Sequence, residues 1–279
     1  MIRIAGLRVL YGTFAAVNGL DLDIRRGELF GLLGPNGAGK STTIRVLIGQ
    51  RHPSAGSVSV AGMDIVCDWA KIKPQFGYVP DRENHFEEFT GRRNLEFFGE
   101  LYNVPKLRAA EVLKMVELDE AADLPVRGYS LGMRKKLLLA RALLHEPQIL
   151  YLDEPTANLD IHSAEVVHRI LRERVKEGAT IILTTHDMDE VEKICDRVAI
   201  MAKGKLVALD SPLALKQRHT ERKVDVIRDD GERLVFDLDD PRGREQLAGL
   251  VTAGRALSIR TREFDFHATF LKLTGLAFE

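Results

Sequence analysis

Apolar and polar positions change rhythm twice along this chain. Leu20, Leu22 and Ile24 alternate with Asp21, Asp23 and Arg25, the period of a strand with one dry face. Glu28-Leu29-Phe30-Gly31-Leu32-Leu33 is instead a nearly continuous apolar run, as a strand covered on both faces requires. It breaks at Gly34-Pro35-Asn36-Gly37, which favours a loop, and helical spacing follows through Ile44, Leu47 and Ile48. Residues 85–145 read as helical, marked by Leu95, Phe97, Phe98 and Leu101, then by Val112, Leu113, Met115 and Val116, then by 137–144. Strands and helices alternate afterwards: strand 148–153, helix 161–176, strand 180–184, helix 187–195, strand 197–201. Such alternation predicts parallel strands joined by crossover helices.

The pattern shifts again near the end. Ser211-Pro212 predicts a capped helix start. Strands at 223–228 and 232–238 should form a hairpin at Asp229-Asp230-Gly231, followed by helix 244–253, strand 257–261 and helix 267–274. Two domains are expected, 1–218 and a small α+β appendage, 219–279.

Composition narrows the class. With 279 residues and 45% hydrophobic content, the chain can bury a sizeable core, and global disorder is excluded. Forty basic against 41 acidic residues leave a net charge of −1, without the basic excess of a dedicated nucleic-acid binder. No stretch approaches the roughly 18 uncharged apolar residues of a membrane span, and MIRIAGLRVLYG lacks the apolar core of a signal peptide. Cys67 and Cys195 show neither metal-ligand spacing nor a disulfide framework, so a reducing cytosol is the expected setting.

Three segments carry chemistry. Gly34-Pro35-Asn36-Gly37-Ala38-Gly39-Lys40-Ser41 fits G-x-x-x-x-G-K-[ST] between a buried strand and a helix. Its glycines let backbone N–H groups converge on phosphate oxygens, and the helix N-terminus, with Thr42 following, favours the same anion. Lys40 should reach the β- and γ-phosphates, and Ser41 should ligate Mg²⁺. The strand at 148–153 ends in Asp153-Glu154, where side chains meet the ligand crevice. Asp153 is placed for the Mg²⁺ shell, and Glu154 to take a proton from, or orient, the water attacking the γ-phosphate; helix caps or a solvated turn are the alternative. Thr184-Thr185-His186-Asp187 closes the next strand, so His186 either contacts the γ-phosphate or is structural.

With Tyr129-Ser130-Leu131-Gly132-Met133-Arg134-Lys135-Lys136 added, the chain resembles the ATP-binding subunit of an ABC transporter. That segment sits where the family carries its Leu-Ser-Gly-Gly-Gln signature, and it keeps Ser130 and Gly132. The resemblance covers about residues 2–215. It implies an α/β fold with a P-loop NTPase core, a mostly parallel sheet, an antiparallel β subdomain and a helical, signature-bearing subdomain at about 82–145. It also implies ATP and Mg²⁺ as ligands, Tyr11 stacked on adenine, and Asp160 in the loop that touches a second nucleotide-binding subunit. Asp189 and Glu190 read as solvated. Asp81 stands where the family has a magnesium-sensing glutamine; its carboxylate can still ligate the ion but cannot donate as an amide does.

Members of the family close head to tail on ATP, each phosphate loop facing the other copy's signature. Segment 84–101, with Phe86, Phe89, Phe97 and Phe98, lies where they receive a helix of a transmembrane permease subunit, unless those rings form the subdomain's core. The implied activity is ATP hydrolysis driving transport, in the sense of export by the drug and antibiotic exporter branch, which the signature form and the tail 267–275 resemble. The implied location is the cytoplasmic face of a membrane, held there by the permease. A soluble ABC-type ATPase and a non-hydrolysing regulatory subunit are the competing readings.

Overall fold

The computed structural model describes residues 1–219, 223–261 and 266–275. It divides into two units, Met1–Pro212 and Leu213–Glu279. Alternating sequence opens the first unit: β1 (Ile2–Tyr11) and β2 (Phe14–Ile24) pair antiparallel, with Ile2, Ile4, Leu7 and Val9 turned inward. β3 (Leu29–Leu33) is buried at every position and leads through the glycine-rich loop into α1 (Lys40–Leu47). β4 (Ala55–Val60) and β5 (Met63–Asp64) complete an antiparallel sheet of order β2-β1-β4-β5.

After α2 (Trp69–Ile72) and β6 (Phe76–Val79) comes the helical insertion: α3 (Gly91–Leu101), α4 (Leu107–Met115) and α5 (Leu131–Leu143). Thr90 and Ser130 cap α3 and α5 through their hydroxyls. Then β7 (Ile149–Asp153), α6 (Ile161–Lys176), β8 (Thr180–Thr185), α7 (Met188–Ile194), β9 (Arg197–Ala202) and β10 (Lys205–Asp210) follow in turn.

The second sheet has the order β10-β9-β3-β8-β7-β6, parallel throughout except at β10. Its register sets Leu33 beside Thr185, Asp153 beside Thr184 and Val79 beside Leu152. The loops after β3, β6, β7 and β8 therefore leave from one edge of the sheet. An apolar core joins the two sheets and α1, uniting Leu7, Val17 and Leu20 with Ile44, Phe30 and Tyr151.

The second unit begins within α8 (Pro212–His219), earlier than the expected boundary at 218. β11 (Lys223–Arg228) and β12 (Arg233–Asp237) form the hairpin, turned at Gly231 with φ of 86°. α9 (Pro241–Thr252) starts ahead of the expected residue 244, because Asp240 caps it and Pro241 occupies its first turn. β13 (Ala256–Thr261) and α10 (Phe266–Thr274) follow; the sheet order is β12-β11-β13, and Val224, Val226 and Phe236 centre its core against Leu247 and Leu250. Among the described residues no helix is long and apolar enough to cross a membrane.

Two of the contacts between α5 and the rest of its unit lend themselves to test. Gly77 of β6 lies so close beneath it that a Cβ would come 2.2 Å from the Ala142 carbonyl oxygen. The Gly77→Ala variant should force α5 off the sheet, costing about 1–3 kcal/mol in urea unfolding. His85 lies 2.9 Å from the Arg134 carbonyl oxygen through Nε2, and burial, outweighing that bond, pushes its pKa down to about 4. The unfolded imidazole, ordinarily near 6.5, takes up a proton that the folded one refuses. Stability should therefore fall between pH 6.5 and 4, by on the order of 2 kcal/mol at pH 4.5. His85→Gln should flatten that limb, read from urea midpoints at pH 7 and 4.5.

Candidate nucleotide-binding site

The loop between β3 and α1 presses against backbone on both sides. A Cβ on Gly34 would lie 2.3 Å from the Met201 carbonyl oxygen, and one on Gly39 would lie 2.6 Å from that of Ala16. Gly39, with φ of 104°, precedes α1 without any side-chain cap, so the first-turn N–H groups are left for an anion. A cavity of about 420 Å³ opens over this loop, lined by Pro35, Asn36, Gly37, Ala38 and Gly39 together with Lys40, Ser41 and Thr42. Lys40 is buried, donates to the Gly34 carbonyl and stands 3.5 Å from Glu154 Oε1. Burial lowers its pKa, with Glu154 and Asp153 acting in the opposite sense.

The parallel register delivers the carboxylates. The Ser41 hydroxyl donates to Asp153 Oδ1 at 3.0 Å, and the buried Thr184 hydroxyl donates to the same oxygen at 2.5 Å. Glu154 is held from every side. Its N–H donates to the Thr184 carbonyl at 3.1 Å, its carbonyl accepts from Lys135 Nζ at 3.0 Å, and Oε2 meets His186 Nδ1 at 2.9 Å. Its φ of 51° is left-handed, rare for a residue with a Cβ. Asp81 lines the cavity from the loop after β6. Among the described residues no cluster of three or more His, Cys, Asp or Glu could hold a metal alone. Ser41, Asp153 and Asp81 do offer hard oxygens of the kind Mg²⁺ accepts when phosphate and water complete its shell.

Tyr11 is exposed at the cavity wall, with the Arg51 guanidinium 4.5 Å from its ring centroid. Burial raises its hydroxyl pKa, but bonds from Arg45 and Thr42 and the charges of Arg45 and Arg51 outweigh that and leave it lowered. Phe14, Ala16 and Arg45 also line the cavity and were not singled out by sequence. Arg45 had a legible signal, one helical turn beyond Ser41; Phe14 had none, because only the β1–β2 hairpin brings it there.

Ser130, Gly132 and Asp160 are absent from this cavity's lining, as are Gly34, Asp153 and His186, of which the last two reach it through Ser41 and Glu154. Ser130, Gly132 and Asp160 gather elsewhere. Ser130 takes the Met133 N–H at 3.2 Å, while Asp160 caps α6 and accepts the Ser163 hydroxyl at 2.7 Å. A Cβ on Gly132 would meet that same Ser163 oxygen at 2.6 Å, so the signature turn and the Asp160 loop abut within one chain. Glu190 is not solvated, contrary to the sequence reading. It is 3% exposed, and its Oε1 takes the Thr156 hydroxyl at 2.6 Å and lies 3.1 Å from His168 Nε2. Its helical phase, facing inward beside Val191, was the overlooked signal. Phe86, Phe89, Phe97 and Phe98 pack on one another, yet Phe86 and Leu101 remain exposed.

The family model described as ABC transporter matches residues 17–157. A Nod factor export ATP-binding protein I from Rhizobium sp. (strain N33) is 36% identical over 301 residues, covering 100% of this chain and 98% of the relative. A fluoroquinolones export ATP-binding protein from Mycobacterium tuberculosis (strain ATCC 25618 / H37Rv) is 37% identical, covering 99% and 93%. Among solved structures, an ATP-binding subunit of an ABC transporter superposes with a TM-score of 0.71 at 26% identity, over 78% of this chain and 92% of that one. A dimeric ATP-binding cassette in a post-hydrolysis state with ADP and Pi gives a TM-score of 0.69 at 25% identity, over 76% and 98%. Likeness along the whole length, with the phosphate cradle inside the matched segment, makes this chain a member of the ABC transporter family, an ATP-binding and ATP-hydrolysing subunit.

Proposed function

We propose that this chain powers export through separate transmembrane permease subunits, at the cytoplasmic face of a membrane, by closing head to tail with a second copy around ATP. One observation carries the reading: Lys40, Glu154 and His186 form a contiguous chain of polar contacts at the phosphate loop, while Ser130 and Gly132 make their contacts with Met133 and Ser163 instead. A second copy's signature turn then supplies the missing wall, its capped helix start offering N–H groups to the γ-phosphate. Two-fold symmetry makes both composite sites equal.

Within a site, Tyr11 stacks on adenine, the 34–39 amides and Thr42 bind phosphate oxygens, and Lys40 spans the β- and γ-phosphates. Ser41, Asp153 and Asp81 would hold Mg²⁺, whose chemistry there is to neutralise charge on the β- and γ-phosphate oxygens. Glu154 takes the proton from water as its oxygen bonds to the γ-phosphorus and the bond to the β–γ bridging oxygen breaks, leaving ADP and phosphate. His186 keeps the Glu154 carboxylate aimed and contacts the γ-phosphate. Asp160 meets the other copy.

Losing the γ-phosphate removes the group both copies share, so they part. The permease reads that motion at a cavity of about 260 Å³ bordered by Trp69, Tyr78, Phe98 and Tyr102, beside segment 84–101. The two relatives are named for Nod factor export and fluoroquinolones export, which supports export as the direction.

Lys40→Ala should lower kcat/KM for ATP roughly 100-fold in a phosphate-release assay. Glu154→Gln should bind ATP within about threefold of the native affinity, stop turnover and accumulate dimer by light scattering. Adding Ser130→Arg to that variant should return it to monomer. Native-rate hydrolysis by Glu154→Gln sinks the assignment of the base.

A further inference from the structure

Lys135 has no task in this scheme, yet its placement is costly. It is the fifth residue of α5, the helix that Ser130 begins, and its side chain is only 5% exposed. A buried ammonium carries a desolvation penalty that only close partners offset. Its neighbour Lys136 spends its charge locally, donating to the Glu117 carbonyl at 3.2 Å inside the helical insertion. Lys135 points out of the insertion. Its Nζ donates to the Glu154 carbonyl at 3.0 Å and lies 3.9 Å from Asp81 Oδ1.

The acceptor is the informative part. Glu154 has a left-handed backbone, which a residue with a Cβ keeps only where its surroundings over-determine it. Thr184 fixes its N–H and Lys135 fixes its carbonyl. That backbone geometry decides where the carboxylate points, towards Lys40 and His186. The lysine therefore ties the orientation of Glu154 to the position of α5, and Asp81 supplies the countercharge that the family's neutral glutamine would not.

We propose that Lys135 is a positioning residue that couples the two ATP sites of the dimer. This rests on the reading above, in which Ser130 grips the nucleotide of the other copy and Glu154 serves its own. Engagement of Ser130 at one site shifts or steadies α5, and Lys135, little more than one helical turn further on, passes that state to the base of the other site. Binding at either site thus favours the catalytically aligned state at its mate, as linkage requires.

The test measures ATP turnover by the purified full-length chain against ATP concentration, with affinity for a non-hydrolysable ATP analogue measured alongside. The native chain should show a Hill coefficient above one. Lys135→Met should keep analogue affinity within about threefold, lose about tenfold in kcat and show a Hill coefficient below the native one. Lys135→Arg, which retains charge and donors, should recover both kcat and cooperativity.

A native Hill coefficient of one overturns the proposal, as does a Lys135→Met chain that turns over cooperatively at the native rate. A Lys135→Met chain that loses analogue affinity or melts early, with Lys135→Arg failing to rescue cooperativity, assigns the lysine to folding and overturns it too. Glu154→Gln in the same assay separates the two readings: turnover there removes the base itself, whereas its silence leaves any failure with Lys135.

Discussion

The parallel pairing of β3, β7 and β8 is the constraint on which everything else in the larger unit depends. Side chains at the ends of these strands are far apart in sequence: Ser41 and Asp153, which share a hydrogen bond, are separated by 112 positions. Register brings the strand ends together, setting Asp153 beside Thr184 and Leu33 beside Thr185, and the loop after Leu33 then delivers Ser41 at the start of α1. A slip of one residue would turn Asp153 to the other face of the sheet and bring an apolar side chain to the crevice. The wholly buried sequences of β3, β7 and β8 resist such a slip, because both faces are packed.

On that frame sits a cluster of charges held in little water. Lys40 and Asp153 are almost fully buried and Glu154 is 14% exposed, so each ion depends on its neighbours for compensation. Removing one partner from such a group typically costs 3–5 kcal/mol, far more than an exposed pair contributes. The same arrangement is rigid, which suits a reaction whose catalysis is mainly placement and charge stabilisation. Lys135 and Thr184 extend that rigidity to the Glu154 backbone, joining helical insertion and sheet through a single residue.

Legibility in the sequence followed distance along the chain. The phosphate loop was readable because eight adjacent residues carry its whole mechanism, and the strand ending at Asp153-Glu154 because strand and carboxylates adjoin. Glu190 reads as solvated from its charge; its helical phase beside Val191 turns it inward, but its partner Thr156 lies 34 positions away. Lys135 looked like one of three consecutive basic residues, with its acceptor 19 positions on. The start of α9 was placed late for a smaller reason: Asp240-Pro241 carried the cap signal, but the first apolar periodicity appears only at Leu247 and Leu250.

Local chemistry, then, was the sequence's own: where the chain turns, which strands are dry on both faces, which residues can cradle phosphate or accept a proton, and which family those motifs resemble. What only the folded chain decided was company. It set Glu154 between Lys40 and His186, put Lys135 on its carbonyl, and kept Ser130 and Gly132 out of the cavity that their chemistry suits. The physical reason is that propensity and periodicity act over a few residues, whereas burial and register act between strands and helices that the chain brings together only once it has folded.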